Sequence, residues 1–575
     1  MKVKIPLMIQ DPGTSRTGQK LVEGFQPAKE EFLLDGPVSD RIAVLDFCPD
    51  TGKLLPGACL ALPKRGRKMG RYVDASGRDV MYADGDELYE SAFLQVSTFA
   101  TVLRTMYLFE AEDTLGRPLT WAFDAPQLLV VPRAGQQANA YYHRDSHSLQ
   151  FFYFSSPRDP DKTIFTCLSR DIVAHETGHA IVDGIAPYLC DASTPQSLAI
   201  HEAIADLTAL LMAFASNTLR LQVLEETRGS IEESTAFSSI AEEFGVELKK
   251  RRKCLRELNN TTGLGEINSR DPHDLSEVIS GALYRVLIDI HKHLVSKYAK
   301  RPYYANKDSP EFSASGYALY KAAKRLRRMV FRALDWMPCG EVSFADLGRA
   351  LIAVDNVAYP GDRRMRDWIS REFVSRDIVP DASALEAPTH FEDLMSTDDV
   401  SALFHSDWHA FEFANNNREL LCIPPDVSFE ILPRLHVCKK YDRNVLSDEY
   451  IFKVSWEHEE LNDIGSGWPG KRRITVGTTL VMDHKGQALA RLTSAPPLES
   501  RRDVIGERDR QAEYNRQRGE RDMYLRGLAE SGVLQMDNSV LGPDGKHLLM
   551  TQAEYVGGAM RMRGTTNLLH IVGGT

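Results

Sequence analysis

Apolar positions along this chain change period twice, and each change marks a change of architecture. From residue 1 to about 90, short β-branched runs such as Ile42 to Leu45 alternate with Gly, Pro and Asp, which predicts strands and turns. Phe93, Val96, Phe99, Val102, Leu103 and Met106 then recur every three or four residues, predicting an amphipathic helix that ends near Glu112. Strands are expected at Gln127 to Val131 and Ser148 to Phe154. After residue 165 the helical period dominates, through Ile172 to Ile185, Leu198 to Ala215, Val278 to Val295, Tyr317 to Leu334 and Phe344 to Val354. Asp271 before Pro272, and Ser343 with Asp346 three residues on, are helix-start signals.

Pro380 to Pro388, rich in small residues, reads as a linker. Beyond it the pattern is strand-like at Ser428 to Val437, Tyr450 to Trp456, Ile474 to Asp483 and Gln487 to Leu492, the last two joined across His484, Lys485 and Gly486. Residues 500 to 530 mix Arg and Glu and suit a solvated helix. The expected class is α+β: a β-rich lobe over 1–165, a helical lobe over 166–380 and an additional β-rich domain over 385–575.

Composition narrows the partners. With 43% hydrophobic and 26% charged residues, the 575-residue chain has ordinary globular composition. A net charge of -11 argues against nucleic-acid binding, which needs a basic surface. No run reaches the ~18 uninterrupted apolar residues of a spanning helix, and MKVKIPLMIQDPG offers too few apolar positions for a signal peptide. The eight cysteines lack CxxC spacing, so neither a zinc ribbon nor a disulfide framework is indicated. The expectation is a cytoplasmic chain with no membrane or nucleic-acid partner.

The chemistry concentrates at His175-Glu176-Thr177-Gly178-His179, an HExxH spelling within a predicted helix. Histidines four apart share one helix face and can reach one ion, with Glu176 beside them to act on water. A helix that merely carries two histidines would predict no further ligand, yet His201-Glu202-Ala203-Ile204-Ala205-Asp206 follows on the next helical run. Glu202 can complete a two-histidine, one-carboxylate set, and Asp206, one turn on, can orient a ligand histidine.

This constellation resembles the thermolysin-like zinc metallopeptidases, in which HExxH is followed by an NExxxD-type helix; His201 stands where the Asn is usual. Asn139-Ala140-Tyr141-Tyr142 is similar to the family's substrate-binding edge strand, and Asp171-Ile172-Val173-Ala174 to its lead-in. The likeness continues through Asp271-Pro272-His273 and Ser280-Gly281-Ala282, covering about residues 90 to 380. It implies a two-lobe peptidase with one Zn2+ per chain on His175, His179 and Glu202. Glu176 would be the general base, Asp206 the supporting acid, and Asn139 and Ala140 would hold the substrate backbone. The family's oxyanion donors are a tyrosine and a histidine, which implies Tyr188 and His273 here; anchoring on Ser280-Gly281 instead puts the histidine position at Glu277. Calcium is not supported, because Leu210 to Phe214 replaces the acidic residues that hold it in secreted members.

Other spellings carry less. Gly465 to Arg472 imitates a phosphate-binding loop but lacks its Ser or Thr and precedes a strand. His405 with His409, and His143 with His147, lack a third ligand, and Asp74, Asp79, Asp84 and Asp86 lack calcium-loop spacing. The expected activity is endopeptidase cleavage of a peptide or protein substrate. One alternative is a metal-binding scaffold that meets a protein partner through residues 385–575. The other is an aminopeptidase, for which no GxMEN-type anchor is present.

Overall fold

The computed structural model describes residues 2–13, 21–63, 69–233, 235–248, 254–387, 400–440, 446–499, 507–535, 551–556 and 558–563. In the first lobe, β1 (Ile42–Val44), β2 (Leu128–Val131), β3 (Ala140–His143) and β4 (Ser148–Phe151) form one sheet in the order β1-β2-β4-β3. Strand β3 is therefore an edge, antiparallel to β4. Helix α1 (Ser91–Glu110) backs this lobe with Phe93 and Phe99 of its apolar stripe buried, but it is not amphipathic in place, since Gln95, Ser97, Thr98, Thr101 and Thr105 are buried as well.

Six longer helices follow: α2 (Arg170–Ile185), α3 (Pro195–Ala215), α4 (Pro272–Ala299), α5 (Pro310–Trp336), α6 (Phe344–Ala358) and α7 (Arg364–Ser375). Their starts obey local chemistry. Ser169 accepts from Ile172 N at the head of α2, Asp271 accepts from His273 N at the head of α4, and Ser343 and Asp346 form a capping box at α6. Helix α3 packs between α2 and α4, and every residue from Pro195 to Phe214 is buried. Among the described residues it alone is long and apolar enough to cross a membrane, but 94% of its most apolar stretch is buried inside the protein. The spacing of α2 and α3 is set by Gly178, where a Cβ would lie 3.1 Å from Ala205 Cα.

The expected linker is corrected by the structure up to residue 387. Ala382–Leu385 is a 3-10 turn whose buried Leu385 packs over Gly348 and Phe373, anchoring the segment to α6 and α7. Pro388 lies outside the described residues.

The third part holds two short helices, α8 (Val400–His405) and α9 (Asp407–Asn416), and the long α10 (Glu507–Glu530). Its strands are β5 (Glu430–Ile431), β6 (Leu435–Lys440), β7 (Leu446–Leu461), β8 (Lys471–Met482), β9 (Ala488–Thr493), β10 (Leu534–Gln535), β11 (Thr551–Val556) and β12 (Ala559–Arg563). They form one sheet, ordered β5-β7-β8-β12-β11-β10, with β6 also on β7 and β9 also on β8. The β7–β8 ribbon is paired from Tyr450↔Met482 to Leu461↔Lys471. Alternation along it divides two cores: Ile451 and Val481 join the core of the helical lobe, while Phe452, Val454, Trp456 and Leu480 face α8 and α9.

Helix α10 forms where the Arg/Glu-rich stretch predicted one, but it is not the solvated helix expected. Arg521 is fully buried, donating to Glu460 on β7 and to Thr194 Oγ1 at 2.8 Å. Glu513 accepts from Ser343 and Arg349, and Glu520 from Gln196. The charges are matched by partners far away in sequence, which is why the local pattern reads as solvent-facing.

Candidate metal centre

Helix α2 carries His175 and His179 one turn apart, their Nε2 atoms 3.0 Å from each other. From α3, Glu202 places Oε2 3.5 Å from His175 Nε2 and Oε1 3.4 Å from His179 Nε2. All three side chains are buried, and one atom from each lies within 4.8 Å of the others; among the described residues this is the one such group. Glu202 Oε1 is buried and accepts no hydrogen bond. Two imidazole nitrogens and an unsatisfied carboxylate oxygen turned to one point are a donor set that fits zinc. Burial opposes charge on Glu202, but His273, His179, His175 and Arg256 around it hold its carboxyl well below the ordinary value.

Beside this group, Glu176 Oε2 accepts from Tyr142 N of edge strand β3 at 3.1 Å. Burial raises the Glu176 carboxyl to about 7, with Glu202 nearby adding to the rise against His175. Asn139, at the foot of the same strand, uses its side-chain oxygen on Ala140 N at 2.9 Å. The sequence-predicted substrate strand and general base thus meet.

Asp206 lies where expected. Its Oδ1 is 3.0 Å from His175 Nδ1, a close contact not aligned as a hydrogen bond. Burial and Arg256 disfavour a charged His175, yet the contacts with Asp206 and Glu202 raise it to about 9 in the metal-free chain. His273, one third exposed at the head of α4, brings Nε2 to 3.4 Å from Glu202 Oε1, and its Nδ1 is 3.0 Å from Asp271 Oδ1. Of the two candidate positions, His273 reaches the group.

Tyr188 does not. It sits in the 3-10 turn Pro187–Leu189 after α2, and its hydroxyl bonds Ser455 on β7. Burial, with Cys339 nearby, lifts that phenol to about 12. Nearness in sequence to His179 is undone by the turn at Pro187, which carries the ring to the third domain.

Two features escape a reading of the sequence. Arg256, in the short strand Arg256–Glu257, donates Nη1 to Glu202 Oε2 at 2.9 Å, places Nη2 3.2 Å from His175 Nε2, and has Nε 3.1 Å from Asp206 Oδ1. Nothing in its own segment distinguishes it from other arginines. The second is His201, whose Nδ1 is 2.6 Å from His179 Nδ1, the rings stacked at 4.7 Å and 7°. Burial depresses His201 to about 4, so it is neutral.

The remaining histidine pairs behave as ordinary side chains. His405 Nδ1 is bonded to Ser401 O, His143 Nδ1 to Ser146, and His147 stacks on Phe123. No protein-family profile matches the chain, and comparison with curated proteins finds none similar to it.

Proposed function

We propose that the chain is a zinc-dependent endopeptidase with a thermolysin-like arrangement of its first two lobes. The supporting observation is the meeting of His175, His179 and Glu202 beside a buried Glu176 and the edge strand β3. Zinc held by the three ligands would supply Lewis acidity toward water and toward the scissile carbonyl. Edge strand β3 binds an extended peptide by strand addition, with Asn139 and Ala140 at its foot. Glu176, beside the metal group, takes a proton from water and hands it to the leaving amine. His273 and Arg256 supply donors to the developing oxyanion, and Asp206 steadies His175.

A Glu176→Gln variant is expected to keep one zinc per chain and lose peptide cleavage; retained cleavage would refute the mechanism. Equal cleavage of amino-blocked and free peptides separates an endopeptidase from an aminopeptidase. A second reading draws on Arg256, whose guanidinium contacts Glu202 and His175 beside the donor set. Under it the site binds metal without cleaving peptides, and the protein is a scaffold meeting a partner through residues 385–575. Full function in cells of the Glu176→Gln variant would favour that reading.

A further inference from the structure

Behind His179 lies a run of buried polar groups that peptide hydrolysis does not itself require. His179 Nδ1 faces His201 Nδ1 at 2.6 Å, and His201 Nε2 faces Cys190 Sγ at 3.0 Å. The Cys190 thiol in turn bonds Asp183, which also accepts from Tyr142 Oη at 2.8 Å and from Arg144 Nε at 2.8 Å. His179, His201, Cys190 and Asp183 are all fully buried.

Only one proton can lie between the two facing Nδ1 atoms. If His201 carries it, His201 Nε2 is bare and accepts a hydrogen bond from the thiol, and His179 must hold its own proton on Nε2. That tautomer cannot ligate. If His179 carries it, His201 holds its proton on Nε2 and donates to Cys190, and the thiol donates to Asp183. Burial, with Asp183 beside it, keeps the thiol protonated.

We propose that Cys190 and His201 are positioning residues for metal binding. Donors run one way from His179 through His201 and Cys190 to Asp183, leaving the lone pair of His179 Nε2 facing Glu202. The inference rests on the zinc reading above. It goes beyond that reading in making a thiol, eleven residues before His201, a determinant of metal affinity.

Zinc affinity by chelator competition tests it in the full chain, with the zinc-free melting midpoint of each variant recorded alongside. Cys190→Ala is expected to weaken zinc about 10- to 100-fold, and Cys190→Ser, which keeps a donor and an acceptor, to restore it. His201→Asn gives His179 an amide oxygen that needs no tautomer choice, so adding Cys190→Ala to that variant should change nothing further. An equal loss in both backgrounds, or no loss in either, overturns the proposal while leaving the peptidase reading standing. Failure of the parent chain to bind zinc overturns both. If Cys190→Ala does not fold, imidazole 15N resonances of the zinc-loaded parent decide: protons on His179 Nδ1 and His201 Nε2 are expected, and a proton on His201 Nδ1 refutes the arrangement.

Discussion

Replacing Glu176 by Gln should make the metal-free chain more stable at pH 8 while abolishing the proposed peptide cleavage. Burial raises the Glu176 carboxyl from 4.5 to about 7 in the folded chain. A carboxyl whose folded value is raised favours the fold fully below about 4.5, and that contribution is lost as pH rises toward 7. At about 1.4 kcal/mol for each pH unit between the two values, ionising Glu176 in place costs roughly 3 kcal/mol. Gln has no charge to bury, and its amide oxygen can still accept from Tyr142 N. The stability difference between variant and parent should therefore be small at pH 4.5, grow to pH 7 and then level off. Denaturant melts across this range, in chelator, measure it. An infrared carboxyl band lost in the variant should titrate near 7. A difference flat with pH, or a variant less stable at pH 8, would refute the assignment of Glu176 as a poised base.

Two other perturbations probe the frame. Gly178→Val puts branched atoms where a single Cβ already approaches Ala205 Cα and Thr208; a loss of roughly 1 to 3 kcal/mol and weaker zinc binding are expected, read by melting and chelator competition. Arg521→Met strips one of two arginines from buried Glu460, whose charge burial opposes but which Arg521 and Arg472 bring down to about 2. It should cost about 3 kcal/mol by denaturant melting, and loosen the start of α3 at Thr194, read as faster amide exchange there.

How far the sequence reveals this protein depends on how local each signal is. Helices α2 and α3 and their candidate ligands are legible because a 3.6-residue period and donors one turn apart are properties of a single segment. The Asp271 cap that presents His273 is legible for the same reason, whereas edge strand β3 is anticipated only through the family resemblance of Asn139-Ala140-Tyr141-Tyr142. Arg256 and Cys190 are not, because each acts on groups 54 and 11 residues away through folded contacts that leave no periodicity. Tyr188 misleads by proximity, since one turn at Pro187 redirects it. Residues 380–387 mislead by composition: small residues suggest a linker, but one apolar side chain, Leu385, fixes the segment in the core.

The third domain is the largest such failure, and it bears on the site. Read from its own pattern it is an accessory unit after a linker, yet its strands supply Ile451, Val481, Ala490 and Leu492 to the core of the helical lobe. The chain at Gly340 crosses β8 so closely that a Cβ there would lie 2.0 Å from Thr475 O, and its φ of +84° suits glycine. Buried Glu449 on β7 receives Arg332 and Trp336 of α5. Glu341 caps Ser193 and Thr194 from below while Arg521 holds Thr194 from α10. Those two residues lead into α3, whose second turn carries His201 and Glu202, so Arg521 of the third domain helps fix where the Glu202 carboxylate stands. Cutting residues 400–575 would expose apolar faces of the first two lobes and leave Arg332 without Glu449 and Thr194 without Arg521. Loss of the metal site with the fold, rather than release of a restrained enzyme, is what this interface dictates.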